Sequence, residues 1–133
     1  MDDHTISILI AEDDPEDMEL MADALLLAEP KAELHKFTDG FSAYEYLRTR
    51  LDNDLPSLIV LDYNMPRLTG AQVLKNINTG TRYTPIPKVI LSTSSAPLHR
   101  HECILNGATK YFEKPGNLKD LNDLARAIVN LRF

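Results

Sequence analysis

Leu58-Ile59-Val60-Leu61-Asp62-Tyr63-Asn64-Met65-Pro66 is a short apolar run that stops on a carboxylate and passes into a proline-marked turn. The same event recurs along the chain. Ile8-Leu9-Ile10-Ala11 stops at Glu12-Asp13-Asp14, Lys88-Val89-Ile90-Leu91 at Ser92, and Lys110-Tyr111-Phe112-Glu113 at Lys114-Pro115. Short runs rich in Ile, Val and Leu, separated by helix-length amphipathic stretches, indicate buried parallel strands of an α/β sheet. Ligands of such sheets bind outside the carboxyl ends of the strands, so residues far apart in sequence converge there. Three carboxylates (Glu12, Asp13, Asp62), a hydroxyl (Ser92) and an ammonium (Lys114) would then share one crevice. That inventory suits a divalent cation and a phosphoryl group.

Composition narrows the reading. A chain of 133 residues, 44% hydrophobic and 26% charged, fits one domain with a sizeable core. A net charge of −6 opposes nucleic-acid binding, which needs a positive face. The acidic start Met1-Asp2-Asp3-His4 lacks the positive charge of a signal peptide, and no run reaches the length of a membrane span. The single cysteine, Cys103, excludes an internal disulfide and fits a reducing cytoplasm. The expectation is a cytoplasmic protein that binds neither nucleic acid nor membrane.

Strand and helix alternate five times with no linker long enough to separate domains. Strand one covers about Ile6–Ala11. Asp14 caps the following helix, Pro15 takes its first position, and Met18, Met21, Ala22 and Leu25 form its inward stripe. A short strand near Glu33–Phe37 leads to a helix carrying Phe41, Tyr44 and Leu47. After the strand Leu58–Leu61, a helix from about Gly70, with Thr69 as candidate cap, buries Val73, Leu74 and Ile77 and stops near Gly80. The strand Val89–Leu91 precedes a helix from Pro97 to about Asn106-Gly107, and the strand Lys110–Phe112 precedes a last helix capped by Asn117. Leu121, Leu124, Ile128 and Leu131 share one face of that helix.

Taken in order, ILIAEDDPED, LIVLDYNMPRLTG, VILSTS and NGATKYFEKP resemble the receiver domains of two-component response regulators over essentially the whole chain. The resemblance implies a flavodoxin-like, doubly wound five-stranded parallel sheet of order 2-1-3-4-5 with helices on both faces. It also implies a single receiver domain over 1–133 without an effector domain. Asp62 would be the phosphoacceptor, a carboxylate nucleophile forming an acyl phosphate. Asp13 and Asp62 would bind Mg2+ directly, with the Asn64 backbone carbonyl as a third ligand and Glu12 acting through water. Lys114 would pair with phosphoryl oxygens, and the family holds the following Lys-Pro bond cis. Ser92 would be the switch hydroxyl and Tyr111 the aromatic that turns inward with it. Asn64 and Ser94 occupy positions that influence access of the hydrolytic water.

Two departures stand out. Ser92-Thr93 replaces the family's frequent threonine followed by a small alanine, so the switch hydroxyl lacks a β-branch and its rotamer is less restricted. Thr69 stands where an acidic residue is common. His99 and His101, two apart, do not face one another as metal ligands on one helix would. Cys103 suits a small buried apolar position. The function implied is a phosphotransfer switch rather than a turnover enzyme. Its phosphoryl donor would be a sensor histidine kinase or a histidine phosphotransfer protein, and its output a downstream protein at the face of the fourth helix, fifth strand and fifth helix. An aspartyl phosphatase would want an acid two residues after Asp62 to protonate a leaving group, and Asn64 stands there. A receiver reduced to a constitutive binding module is opposed by the intact set of Glu12, Asp13, Asp62, Ser92 and Lys114.

Overall fold

The repeated apolar runs become adjacent strands of one sheet. The computed structural model describes residues 6–94 and 96–132, so the acidic start at 1–4 lies outside the described residues. The elements are β1 (Ser7–Ala11), α1 (Pro15–Ala28), β2 (Glu33–Phe37), α2 (Gly40–Thr49), β3 (Leu58–Asp62), α3 (Gly70–Ile77), β4 (Lys88–Ser92), α4 (Pro97–Leu105), β5 (Lys110–Glu113) and α5 (Leu118–Asn130), with a 3-10 turn at Asp52–Asp54. The sheet order is β2-β1-β3-β4-β5, with every pair parallel. This is the expected doubly wound topology.

Alternation along the strands divides the interior into two cores. Leu9, Ile59, Leu61 and Ile90 face Ala43 and Leu47 of α2, Val73, Leu74 and Ile77 of α3, and Cys103 of α4. Ile8, Ile10, Leu58, Val60, Val89 and Leu91 face Met18, Met21 and Leu25 of α1 and Ala125, Ile128 and Val129 of α5. Full burial of one such aliphatic side chain contributes roughly 1.5–3 kcal/mol, so the central strands form the stable platform. Among the described residues no helix is long and apolar enough to cross a membrane.

Helix starts follow local chemistry. Asp14 Oδ1 accepts the N–H groups of Glu16 (2.9 Å) and Asp17 (3.1 Å), and Pro15 opens α1 with no N–H to satisfy. Asp39 accepts from Ser42 N–H at 2.7 Å, and Asn117 from Asp120 N–H at 2.8 Å. Thr69 and Gln72 form a reciprocal capping box, the hydroxyl accepting Gln72 N–H and the amide oxygen accepting Thr69 N–H. Several boundaries shift by one to three residues from expectation. The helix α3 ends at Ile77 because Asn78 leaves helical geometry (φ −91°, ψ 42°) while its N–H still bonds Leu74 and Lys75 carbonyls. Strand β4 starts at Lys88, whose buried ammonium donates to the carbonyls of Tyr83 (2.6 Å) and Ile86 (2.8 Å). Phe41 points outward, because the Asp39 cap phases α2 to put Ala43 and Leu47 on the sheet, and the Arg67 guanidinium covers its ring at 4.5 Å.

Gly70 seats α3 against the carboxyl end of the sheet. A Cβ there would lie 2.6 Å from the Asp62 carbonyl oxygen and 2.9 Å from Ile90 Cδ1. Between Asp62 and α3 the chain turns sharply at Arg67, which takes φ 73° while Leu68 N–H bonds the Pro66 carbonyl at 2.8 Å. Gly70→Ala is expected to lower stability by about 2 kcal/mol, read as a reduced urea midpoint. Gly80→Ala, where nothing lies within 4 Å of the added carbon, should stay within about 0.5 kcal/mol of wild type.

Candidate functional site

The carboxyl ends of β1, β3, β4 and β5 deliver the polar stops to one place. Asp62 closes β3, paired in register with Leu91 of β4, and is 6% exposed. Glu12 follows β1, where its N–H bonds the Phe37 carbonyl (2.9 Å), and is 5% exposed. Its Oε2 accepts the Asp14 N–H at 3.1 Å, so the acid is oriented by the chain that starts α1. Asp13 is exposed beside it. Carboxylate oxygens of Glu12, Asp13 and Asp62 lie within 4.8 Å of one another. An all-oxygen, anionic donor set of this spacing fits a hard divalent cation such as Mg2+.

Lys114 supplies the opposing charge. Its Nζ lies 2.8 Å from Glu12 Oε1, 3.1 Å from Asp17 Oδ2 and 3.2 Å from Asp62 Oδ1. Its backbone N–H donates to the Ser92 carbonyl at 2.7 Å, tying the end of β5 to the end of β4. Among the described residues every peptide bond is trans, including Lys114–Pro115, where the resemblance implied cis. Burial works against the ammonium's charge, but the hydrogen bond to Glu12 and the charges of Asp62 and Glu12 outweigh it and hold its pKa above the ordinary lysine value. The same burial pushes the Asp62 carboxyl up to about 7, with the Glu12 charge adding to the rise and Lys114 opposing it. Burial and the Glu12 charge thus outweigh Lys114 and disfavour the charged form of Asp62.

Ser92 closes β4 and is 1% exposed, whereas Thr93 is exposed. The Ser92 hydroxyl accepts the Ser94 N–H at 3.0 Å. The Ser94 carbonyl in turn accepts the Tyr111 hydroxyl at 2.7 Å. A hydrogen-bonded line thus runs from the strand end through Ser94 to β5. Tyr111, which the resemblance makes the switch aromatic, is buried. Its hydroxyl finds an acceptor on the β4–α4 loop, which satisfies the polar end of the buried ring. Asn64 is exposed, in the bend two residues beyond Asp62.

Two contacts were missed in the sequence. Asp17 joins Lys114 because the Asp14 cap starts α1 at Pro15 and turns the third helical residue toward the site. An acid three residues beyond a capping aspartate was the available signal. Tyr63 stacks on His99 (centroids 4.5 Å apart) and donates its hydroxyl to Glu102 Oε1 at 2.7 Å, linking the loop after Asp62 to α4. Burial, then the bond to Glu102, pushes this phenol up to about 12. Nothing local announced that pairing.

The family model for the response regulator receiver domain matches residues 8–126. Among curated proteins, the two-component response regulator ARR8 of Arabidopsis thaliana is 31% identical over 114 residues, covering 74% of this chain and 51% of that protein. The chain spans about half the length of the first curated relatives it matches. Among solved structures, the phosphorylated cyanobacterial phytochrome response regulator RcpA superposes with TM-score 0.86 at 29% identity, over 96% of this chain and 94% of that one. The Mn2+-bound form of response regulator Rcp1 gives TM-score 0.80 at 30% identity, over 92% and 91%.

The raised Asp62 pKa sets a pH dependence. The folded state binds a proton at Asp62 more tightly than the unfolded chain, whose carboxyl titrates near 3.8. The penalty for the charged form is absent below about pH 4, grows through the window and is complete above about pH 7. Without divalent metal, Asp62→Asn is expected to melt above wild type at pH 8, with the gap closing as pH falls to about 4. Thermal melts of both proteins in EDTA across that range check it. A gap that does not change with pH would contradict the assignment of Asp62 as the penalised charge.

Proposed function

Because the chain belongs to the response regulator receiver domain family, we propose that it is a phosphotransfer switch that carries its phosphoryl group on Asp62. The observation that carries this reading is a buried carboxylate at a central strand end, held between an acidic cluster and the Lys114 ammonium. Glu12, Asp13 and Asp62, with the Asn64 carbonyl, would hold Mg2+, which when bound offsets the charge of the carboxylates and of an incoming phosphoryl group. The phosphorylated state of RcpA and the Mn2+-bound state of Rcp1 support carrying both features over.

The donor is a phosphohistidine of a sensor kinase or phosphotransfer protein. An Asp62 carboxylate oxygen forms the new P–O bond as the P–N bond to the donor imidazole breaks, and the electron pair of that bond stays on the ring nitrogen. Lys114 neutralises charge on the transferred oxygens, a role its point-charge ammonium serves from several angles. Return to the resting state is attack of water on phosphorus, which breaks the bond to Asp62 and releases inorganic phosphate. Asn64 and Ser94 flank that approach. The protein thus acts on itself, as a switch in the cytoplasm, rather than on a stream of substrates.

Output follows from the line of hydrogen bonds beyond Ser92. Accepting from Ser94 N–H uses a lone pair, so the Ser92 hydroxyl proton remains to be given to a phosphoryl oxygen. A shift of Ser92 moves the Ser94 turn and with it Tyr111 and the start of α4. Exposed Leu98 and Leu105 on α4 and Leu118 at the start of α5 offer a downstream protein apolar contacts on that face.

Acetyl phosphate with Mg2+ is expected to add one phosphoryl group, seen by intact mass and labile to hydroxylamine. Asp62→Asn or chelation should abolish it. Modification that survives either change would refute the site, and turnover of many phosphomonoesters would favour a phosphatase. Ser92→Ala should still be modified while its NMR shifts on α4, β5 and α5 shrink. Undiminished shifts would send the signal by another route, through Thr93 or Tyr63.

A further inference from the structure

We propose that Asp17 is a positioning residue that competes with the incoming phosphoryl group for Lys114 and so slows phosphorylation. The proposal rests on Asp62 being the phosphoryl acceptor. An ammonium has three N–H donors, and Lys114 Nζ meets three carboxylates: Glu12 Oε1 at 2.8 Å, Asp17 Oδ2 at 3.1 Å and Asp62 Oδ1 at 3.2 Å. It donates hydrogen bonds to Glu12 and Asp17 and is ion-paired with Asp62 before any phosphoryl group arrives. To turn more than one N–H toward phosphoryl oxygens the ammonium must give up Glu12 or Asp17.

The three are not equally easy to leave. The Glu12 side chain is 7% exposed and is anchored by the Asp14 N–H on its second oxygen. The Asp62 side chain, also 7% exposed, is the group that receives the phosphoryl. The Asp17 side chain is 43% exposed, so water replaces the ammonium there at least cost. Its place is nonetheless defined, because its backbone N–H is held by the Asp14 cap that begins α1. A mostly apolar cavity of about 80 Å³ opens beside the pair, with Glu12, Asp17, Asp62 and Lys114 at its polar side. Asp17 stabilises the resting site through Lys114. It also adds negative charge where a phosphoryl group must enter, and both effects raise the barrier.

An acid in the first turn of a helix has an ordinary explanation, its favourable interaction with the helix dipole. The test separates the two. Wild type, Asp17→Asn, Asp17→Glu and Asp23→Asn are compared for the rate of modification by acetyl phosphate with Mg2+, followed by intact mass. The Lys114 side-chain ammonium resonance of the metal-free, unphosphorylated proteins is compared by 1H–15N NMR. Asp23 is exposed, six residues further along α1, and its substitution removes the same charge from the same helix.

Asp17→Asn is expected to be modified about threefold faster than wild type, the size of one partly exposed ion pair. Its Lys114 resonance should move, and Asp17→Glu and Asp23→Asn should match wild type in both measurements. A rate for Asp17→Asn equal to or below wild type, an equal acceleration by Asp23→Asn, or an unmoved Lys114 resonance would overturn the proposal while leaving Asp62 as acceptor. A wild type that takes up no phosphoryl group would overturn the parent reading and this one together.

Discussion

The site depends on one cation held against several anions. Lys114 touches Glu12, Asp17 and Asp62, and Asp13 stands beside them, so a single ammonium faces more negative charge than it can neutralise. Buried charges interact strongly because little water screens them. Unequal numbers of each sign therefore leave a residual field directed at whatever cation arrives. The resting crevice is internally crosslinked and still under-neutralised, which makes it receptive to a divalent ion. It also makes each partner of Lys114 a determinant of how readily that ammonium can turn elsewhere.

The sheet makes this concentration of charge tolerable by keeping it at one end. Strand β4 has a buried lysine at its start and a buried serine at its finish, about 13 Å apart at the usual rise per residue. At the start, Lys88 is satisfied by two carbonyls, and burial lowers its pKa. Between the ends, Val89, Ile90 and Leu91 are fully or nearly fully buried. The two aliphatic cores on opposite faces hold the central strands in register, and that rigidity is what fixes carboxylates within a few ångströms of each other in spite of their repulsion.

Much of this was legible in the residues themselves. Apolar runs of β-branched and leucine residues marked the strands, and Asp14-Pro15, Thr69 and Asn117 marked helix starts, because these signals act within one turn of chain. What failed depended on tertiary phase or distance. The second helix was expected to carry Phe41, Tyr44 and Leu47 with none of them assigned to the sheet, and it is Leu47, with Ala43, that is buried while Phe41 is exposed. Lys88 opens the apolar run but was left outside the strand Val89–Leu91, and the carbonyls of Tyr83 and Ile86 that satisfy its buried ammonium come from a turn that the sequence does not outline. Lys114 was expected in the site, but its Asp17 partner is 97 positions away, and the cap that places Asp17 does not by itself point to that lysine. The Tyr63 link to Glu102, across 39 positions, escaped for the same reason.

Cys103 has a use that its inertness creates. It is the chain's one cysteine, lies fully buried on the core-facing side of α4, and has its thiol pushed up to about 12 by burial first and the Glu102 charge second. So little thiolate forms at neutral pH that alkylating reagents must wait for α4 to lift from the sheet. The rate of labelling is then a built-in gauge of that opening, requiring no engineered probe and free of background from any other thiol. Because α4 also belongs to the proposed output face, one reagent and a clock would measure how tightly the resting protein keeps that face closed.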